Sequence, residues 1–135
     1  MVKYLLDTNI CIHLFRNKYG IPSAIDRVGF ENCAISELTK AELLQGELMA
    51  ASKGHAVNGA PLRQFFKKIQ IIPISDAIEL FVSEKVRLMD LGTPVDDFDI
   101  LIGCTAIVNK LTMVSENISH LGRLSGIKLE NWVKR

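Results

Sequence analysis

The sequence predicts an α/β fold, three layers in the order α/β/α around a central parallel sheet of four to five strands. Three observations carry this. Short apolar runs alternate with segments of helical spacing, the pattern of a parallel sheet with crossover helices on both faces. The first run stops abruptly at a carboxylate, Asp7. The run at 111–115 leads directly into Glu116 and Asn117. The strand C-termini of such a sheet share one rim, where ligands bind, so Asp7 and Asn117 belong to one edge.

Each element follows from local chemistry. Residues 3–6 are a short buried strand. Asp7, Thr8 and Asn9 all favour helix N-caps, and a helix runs over 9–16. Thr8 and Asn9 suffice as caps, so Asp7 has two roles open, capping the helix or serving the rim. Tyr19-Gly20-Ile21-Pro22 breaks the helix, and a short one follows at 23–28. Residues 32–35 form a second strand, and Ser36 caps a helix over 37–52. Residues 53–59 are a surface loop. Pro61 suits a helix start, and 62–68 continue it. Residues 69–74 form a third strand whose end Pro73 confines to an edge or terminus. Asp76 caps a helix over 77–91, closed by Gly92. Residues 93–97 open a helix over 98–110. Residues 111–115 are the fourth strand, and 128–130 add a small edge strand.

Bulk properties narrow the function. The 135 residues fit one domain, 1–135, and 48% apolar content supports a real core. A net charge of +1 excludes a strongly basic polyanion-binding module. Cys11, Cys33 and Cys104 lie far apart in apolar contexts, as reduced core thiols of a cytoplasmic protein do. Their spacing, with three scattered His, does not suit zinc. The apolar start is too short for a signal peptide. The stretch 100–108 cannot span a bilayer, so no membrane role is expected.

Carboxylates carry the chemistry. On the third helix Glu37, Lys40 and Glu47 share a charged face, while Glu42 lies with Leu38, Gln45 and Met49 and points inward. An inward carboxylate is costly without a partner. Asp96-Asp97-Phe98-Asp99 is the densest acidic cluster, with Phe98, Leu101, Ile102 and Thr105 read as the buried stripe of its helix. One cap and the helix dipole account for one or two of these acids, not for three that repel one another. Acids converging on a rim without His or Cys suit a hard divalent ion, Mg²⁺ or Mn²⁺. Such a site activates water against a phosphate ester.

Five motifs, in order, cover essentially the whole chain. They are L-L-D-T-N-I-C-I from Leu5, S-x-L-T-x-A-E-L-x-x-G from Ser36, G-T-P-x-x-x-F-D from Gly92, V-S-x-N from Val114 and K-L-E-N-W from Lys128. Together they resemble the PIN-domain ribonucleases, in particular the VapC-like toxins of bacterial toxin–antitoxin pairs. The resemblance implies a PIN-like fold with an acidic pocket at the C-terminal edge of the sheet. It also implies a Mg²⁺- or Mn²⁺-dependent endoribonuclease, with tRNA a frequent substrate class. The family acids fall on Asp7, Glu42 and Asp99. The fourth position falls on Asn117, neutral here as in many VapC-like chains. Asp7 and Asp99 are then the direct metal ligands, Glu42 binds through water or orients it, and Asn117 contacts phosphate or a metal-bound water. Asp96 is a further candidate ligand. Asp97 has two roles open, assisting the site or capping the helix. Ser115, Glu116 and Thr8 are secondary candidates. If the fourth strand keeps its alternation, Glu116 points opposite Asn117. Arg16, Lys18, His120 and Arg123 are candidate RNA contacts.

The resemblance further implies a VapB-like antitoxin over the acidic rim and a homodimer. The helices at 10–15 and 43–49 carry more apolar residues than one buried stripe requires, which marks an interface. The rival reading is a silent PIN scaffold that binds RNA or protein without cutting it. A phosphatase with an aspartate nucleophile wants a second Asp where Asn9 stands, and no GxGxxG follows the first strand.

Overall fold

The computed structural model describes residues 1–135. The strands are β1 (Tyr4–Leu6), β2 (Cys33–Ser36), β3 (Gln70–Ile72), β4 (Thr112–Val114) and β5 (Leu129–Glu130). The helices are α1 (Thr8–Phe15), α2 (Ile21–Val28), α3 (Glu37–Ser52), α4 (Ala60–Lys68), α5 (Ile78–Asp90), α6 (Asp97–Val108) and α7 (Ile118–Leu121). All pairings are parallel, in the order β3-β2-β1-β4-β5. The expected three-layer sheet is present, with β5 as its fifth strand.

Strand alternation builds two cores. Leu5, Ala34 and Met113 face one side and meet Leu88 of α5 and Ile100, Ile102 and Cys104 of α6. Leu6, Ile35 and Val114 face the other and meet Ile10, Ile25, Leu43, Phe65 and Trp132. All three cysteines are free and buried. No helix is long and apolar enough to cross a membrane.

Four expectations need correction. Asp76 does not cap α5: a 3₁₀ turn over Ser75–Ala77 leads into the helix, and the residue before it is Ala77. Phe98 is 42% exposed, whereas Ile100, Ile102, Gly103, Cys104, Thr105 and Ala106 are all buried. The reason is that α6 is enclosed on more than one side, so its burial follows no single stripe. A Cβ on Gly103 would collide with the Leu124 side chain. The short α7 was not foreseen, because four residues give no helical period. Finally, of the apolar excess on α1 and α3 only Phe15, Leu48 and Met49 are exposed; Ile10, Cys11 and Leu43 are buried, and Ile12, Leu14 and Leu44 are half-buried. The longer exposed stripe is Ile78, Val82, Val86 and Met89 along α5.

Candidate active site

Asp7 is the first residue past β1, and its backbone N–H still donates to Val114 O at 2.9 Å. Parallel pairing of Leu6 with Val114 therefore sets Asp7 beside Ser115. The carboxyl group is buried, 4% exposed. Oδ1 accepts from Thr8 N–H at 2.8 Å, so Asp7 is itself the N-cap of α1, and Thr8 and Asn9 are already helical. The capping role left open for Asp7 is therefore filled by one of its oxygens, and the other is free to turn to Ser115 and Asn9. Oδ2 accepts from Ser115 Oγ–H at 2.6 Å and from Asn9 Nδ2 at 3.4 Å. No cation pairs with it. Burial raises its pKa, against the lowering by Ser115, Thr8 and Asn9.

Glu42 joins from α3. Thr8 Oγ1 donates to Glu42 Oε1 at 2.7 Å and lies 3.2 Å from Thr39 Oγ1. One hydroxyl has one proton, and an ionised carboxylate only accepts. The proton of Thr8 therefore goes to Glu42, and Thr39 donates to Thr8. Thr39 is fully buried and was missed in the sequence. Its signal was its position one turn before Glu42.

Asp99 comes from the first turn of α6. Asn117 Nδ2 donates to Asp99 Oδ2 at 3.2 Å, and Asn117 Oδ1 lies 2.9 Å from His120 Nδ1. The amide orientation follows: its NH₂ faces the carboxylate, its oxygen accepts, and His120 Nδ1 carries the proton. Asn117 N–H also donates to Ser115 Oγ at 2.9 Å. Burial, then the charges of Asp7, Asp96 and Glu42, push the Asp99 carboxyl up to about 6, with His120 opposing.

The remaining candidates divide. Ser115 is fully buried against Asp7. Asp96 caps α6 by accepting from Phe98 N–H at 2.9 Å and lies exposed at the rim. Asp97 pairs with Lys85 at 3.0 Å on the surface. Glu116 turns away from the pocket to His13 and Arg135. Those partners, His13 first, hold its carboxyl below the usual range. Arg16 and Lys18 are exposed past α1, and Arg123 Nη1 donates to Pro94 O at 3.1 Å. Sequence reading also missed Asn9 as a link: it touches Asp7, Ser115 and the Glu116 N–H together.

The donors around the pocket are oxygens with one amide, a hard-ligand set. No three His, Cys, Asp or Glu side chains converge tightly enough to cage an ion by themselves. The set still fits a hard divalent ion that keeps several waters, because the mutual repulsion felt by Asp99 is what a cation would relieve. Beside Glu42 a groove of about 420 Å³ runs between α1, α3 and α4, lined by Ile12, Phe15, Leu43, Pro61 and Leu62 with Arg16.

Comparison with known proteins adds a family. A profile described as "PIN domain" matches residues 4–122. Ribonuclease VapC2 of Rickettsia felis is 32% identical over 135 residues, covering 97% of this chain and 98% of that one. The tRNA(fMet)-specific endonuclease VapC of Salmonella typhimurium is 26% identical, covering 98% and 99%. Among solved structures, VapBC2 from Rickettsia felis bound to a DNA fragment from their promoter superposes with a TM-score of 0.84 at 27% identity. It covers 98% of this chain and 99% of that one. DNA-bound VapBC from Salmonella typhimurium gives the same TM-score, identity and coverage.

Proposed function

The chain belongs to the PIN-domain family, among its VapC ribonucleases, and from that premise we propose that it is a divalent-metal-dependent endoribonuclease, the toxin of a toxin–antitoxin pair. The observation that carries the reading is Asp7: a buried carboxylate with no cation of its own, facing Asp99 and Glu42 across one rim. A structural acid at that depth is paired.

Mg²⁺ or Mn²⁺, when bound, supplies positive charge for the scissile phosphate and a water of lowered pKa. Asp7 and Asp99 would hold the ion, and Ser115 and Asn117 keep those two carboxylates in place. Glu42, its carboxylate oriented by Thr8, accepts a proton from the attacking water. The water oxygen bonds to phosphorus, the bond to a ribose oxygen breaks, and that oxygen takes up a proton. His120 and Arg16 stand at the rim for phosphate contact. A structured RNA such as tRNA is the substrate class, by analogy with the Salmonella relative. A VapB-like antitoxin occupies the groove beside Glu42, and a second copy covers the α5 stripe in a homodimer. Free buried thiols suit a cytoplasmic protein.

The test is digestion of total tRNA by the purified chain with Mg²⁺ or Mn²⁺ and with excess EDTA, mapping fragment ends. Discrete fragments that need the ion are expected. Cleavage at full rate in EDTA overturns the metal mechanism, and no cleavage under any ion overturns the nuclease reading.

A further inference from the structure

Glu116 is the acid next to Asn117, yet both its oxygens are engaged elsewhere. His13 Nε2 of α1 meets Oε1, and Arg135 Nη2 donates to Oε2 at 2.5 Å. The Arg135 guanidinium lies 4.2 Å from the centre of the Tyr19 ring. The Tyr19 ring in turn meets His13 edge-on, with centroids 4.7 Å apart at 90°. Four side chains thus close a ring. Lys134 N–H, donating to Tyr19 O at 2.8 Å, ties the adjoining backbone to it.

Two costs are tolerated in this ring. Tyr19 holds φ at 59°, in the left-handed region. A carboxylate only accepts, so the His13 proton is on Nε2, and Nδ1 is left as the one buried side-chain polar atom without a partner.

The ring anchors the middle of the turn at which the sheet ladder ends. Ser115 N–H makes the last ladder bond, to Glu130 O at 3.1 Å. Beyond it the Glu116 N–H donates to Asn9 Oδ1 at 3.3 Å. Asn9 Nδ2 lies 3.4 Å from both Asp7 Oδ2 and Ser115 Oγ. On either side of Glu116, Ser115 holds Asp7 and Asn117 holds Asp99.

We propose that Glu116 is a positioning residue and not a metal ligand: clamped by His13 and Arg135, it fixes the 115–117 turn that sets Asp7 and Asp99 in the active site. Its effect on cleavage rests on the nuclease reading; its effect on the turn does not.

The experiment compares the full chain with Glu116→Gln, Glu116→Ala, Arg135→Gln and the Glu116→Ala/Arg135→Gln pair. Amide hydrogen exchange of residues 115–118, without metal or RNA, is one readout. Mn²⁺-dependent cleavage, resolved into kcat and KM, is the other. Glu116→Ala should speed exchange in the turn and lower kcat roughly 10-fold or more, with KM within about twofold. Gln, which keeps an acceptor, should restore most of both. Arg135→Gln, at an exposed position, should give a smaller loss, and the pair should be no worse than Glu116→Ala alone, since both break one unit. If Gln abolishes cleavage as completely as Ala while exchange is unchanged, Glu116 is a ligand and the proposal is wrong. If every variant exchanges and cleaves as the unmodified chain does, the clasp positions nothing. An unmodified chain that never cleaves sinks the nuclease reading, and exchange then decides the clasp alone.

Discussion

Asp7 and Glu84 are buried to nearly the same depth, 4% and 5% exposed, and could hardly differ more in company. Glu84 accepts from Arg87 through both oxygens, at 2.7 and 3.0 Å, and from Ser125 N–H at 2.6 Å. The Arg87 hydrogen bond leads the causes that lower its pKa. Asp7 has only a hydroxyl and amides, and its pKa is raised. Depth alone therefore says nothing about role. A buried acid with its cation built in braces the fold, here by tying α5 to the segment before β5. A buried acid without one, as Asp7 is, marks a candidate functional group.

The largest effect should come from exchanging the two acids' charges for amides. Asp7→Asn should lower RNA cleavage more than about 100-fold, beyond what losing a ligand's hydrogen-bond support costs. The melting temperature of the metal-free protein should not fall, since the neutral side chain is easier to bury. Glu84→Gln should do the reverse. It leaves a hydrogen-bond mismatch at Arg87 or Ser125 that costs about 2 kcal/mol, a fall of roughly 8 °C in melting temperature, with kcat within about threefold. Cleavage assays and thermal melts on both variants check this. Equal loss of activity in both would erase the distinction.

Support for the unpaired acid comes next. Ser115→Ala removes the 2.6 Å donor to Asp7 Oδ2. We expect cleavage to fall roughly 10- to 100-fold and Mn²⁺ affinity, read by calorimetry, to change with it.

The pH dependence of the two kinds of acid should have opposite sign. The Asp99 pKa is raised to about 6 from 3.8, so between those values the folded state binds more protons than the unfolded one. Through this group the metal-free protein gains stability as pH falls through 6. The Glu84 pKa is lowered, so its contribution is present at neutral pH and is lost as pH falls below 4.5, its unfolded value. Protons and a divalent ion compete for Asp99. The melting-temperature gain from Mn²⁺ should therefore be larger at about pH 7.5 than at about pH 5.5. An equal gain at both would remove Asp99 from the ion site.

The smallest effect belongs to the exposed acid of the same cluster. Asp97→Asn breaks a surface pair with Lys85 and should change stability by no more than about 0.5 kcal/mol and cleavage not at all.

Much of this was legible in the chain. The bounds of α3 came out as read, because Ser36 caps it, accepting from Leu38 N–H, and its residues are good helix formers. Gly92, at φ 73°, follows α5 where a left-handed residue was expected. The helical angle predicts Glu42 inward beside Leu38, Gln45 and Met49; Gln45 and Met49 are exposed, the buried residues of α3 are Thr39 and Leu43, and Glu42 is half-buried at their margin, where Thr8 meets it. Other features were not legible. The 3₁₀ turn before α5 replaced the Asp76 cap, since local capping preference is weak against tertiary packing. The burial of α6 ignored the single-stripe rule because the helix has more than one covered side. Asp7 caps α1 while serving the rim, a pair of roles that composition cannot apportion between Asp7, Thr8 and Asn9.

By itself the sequence determined the alternation of strands and helices, and with it a parallel sheet whose C-terminal rim carries Asp7 and Asn117. That information is local: apolar period, caps and breakers fix each element from its own residues. The tertiary structure alone decided which strands are neighbours. The order β3-β2-β1-β4-β5 puts β4 against β1, and the register of Leu6 on Val114 brings Ser115 to Asp7 across 108 residues of chain. A shift of one residue would turn Ser115 to the other face. The same long-range closure sends Glu116 to His13 and Arg135, because those partners are set by packing between distant segments and leave no mark on the local pattern.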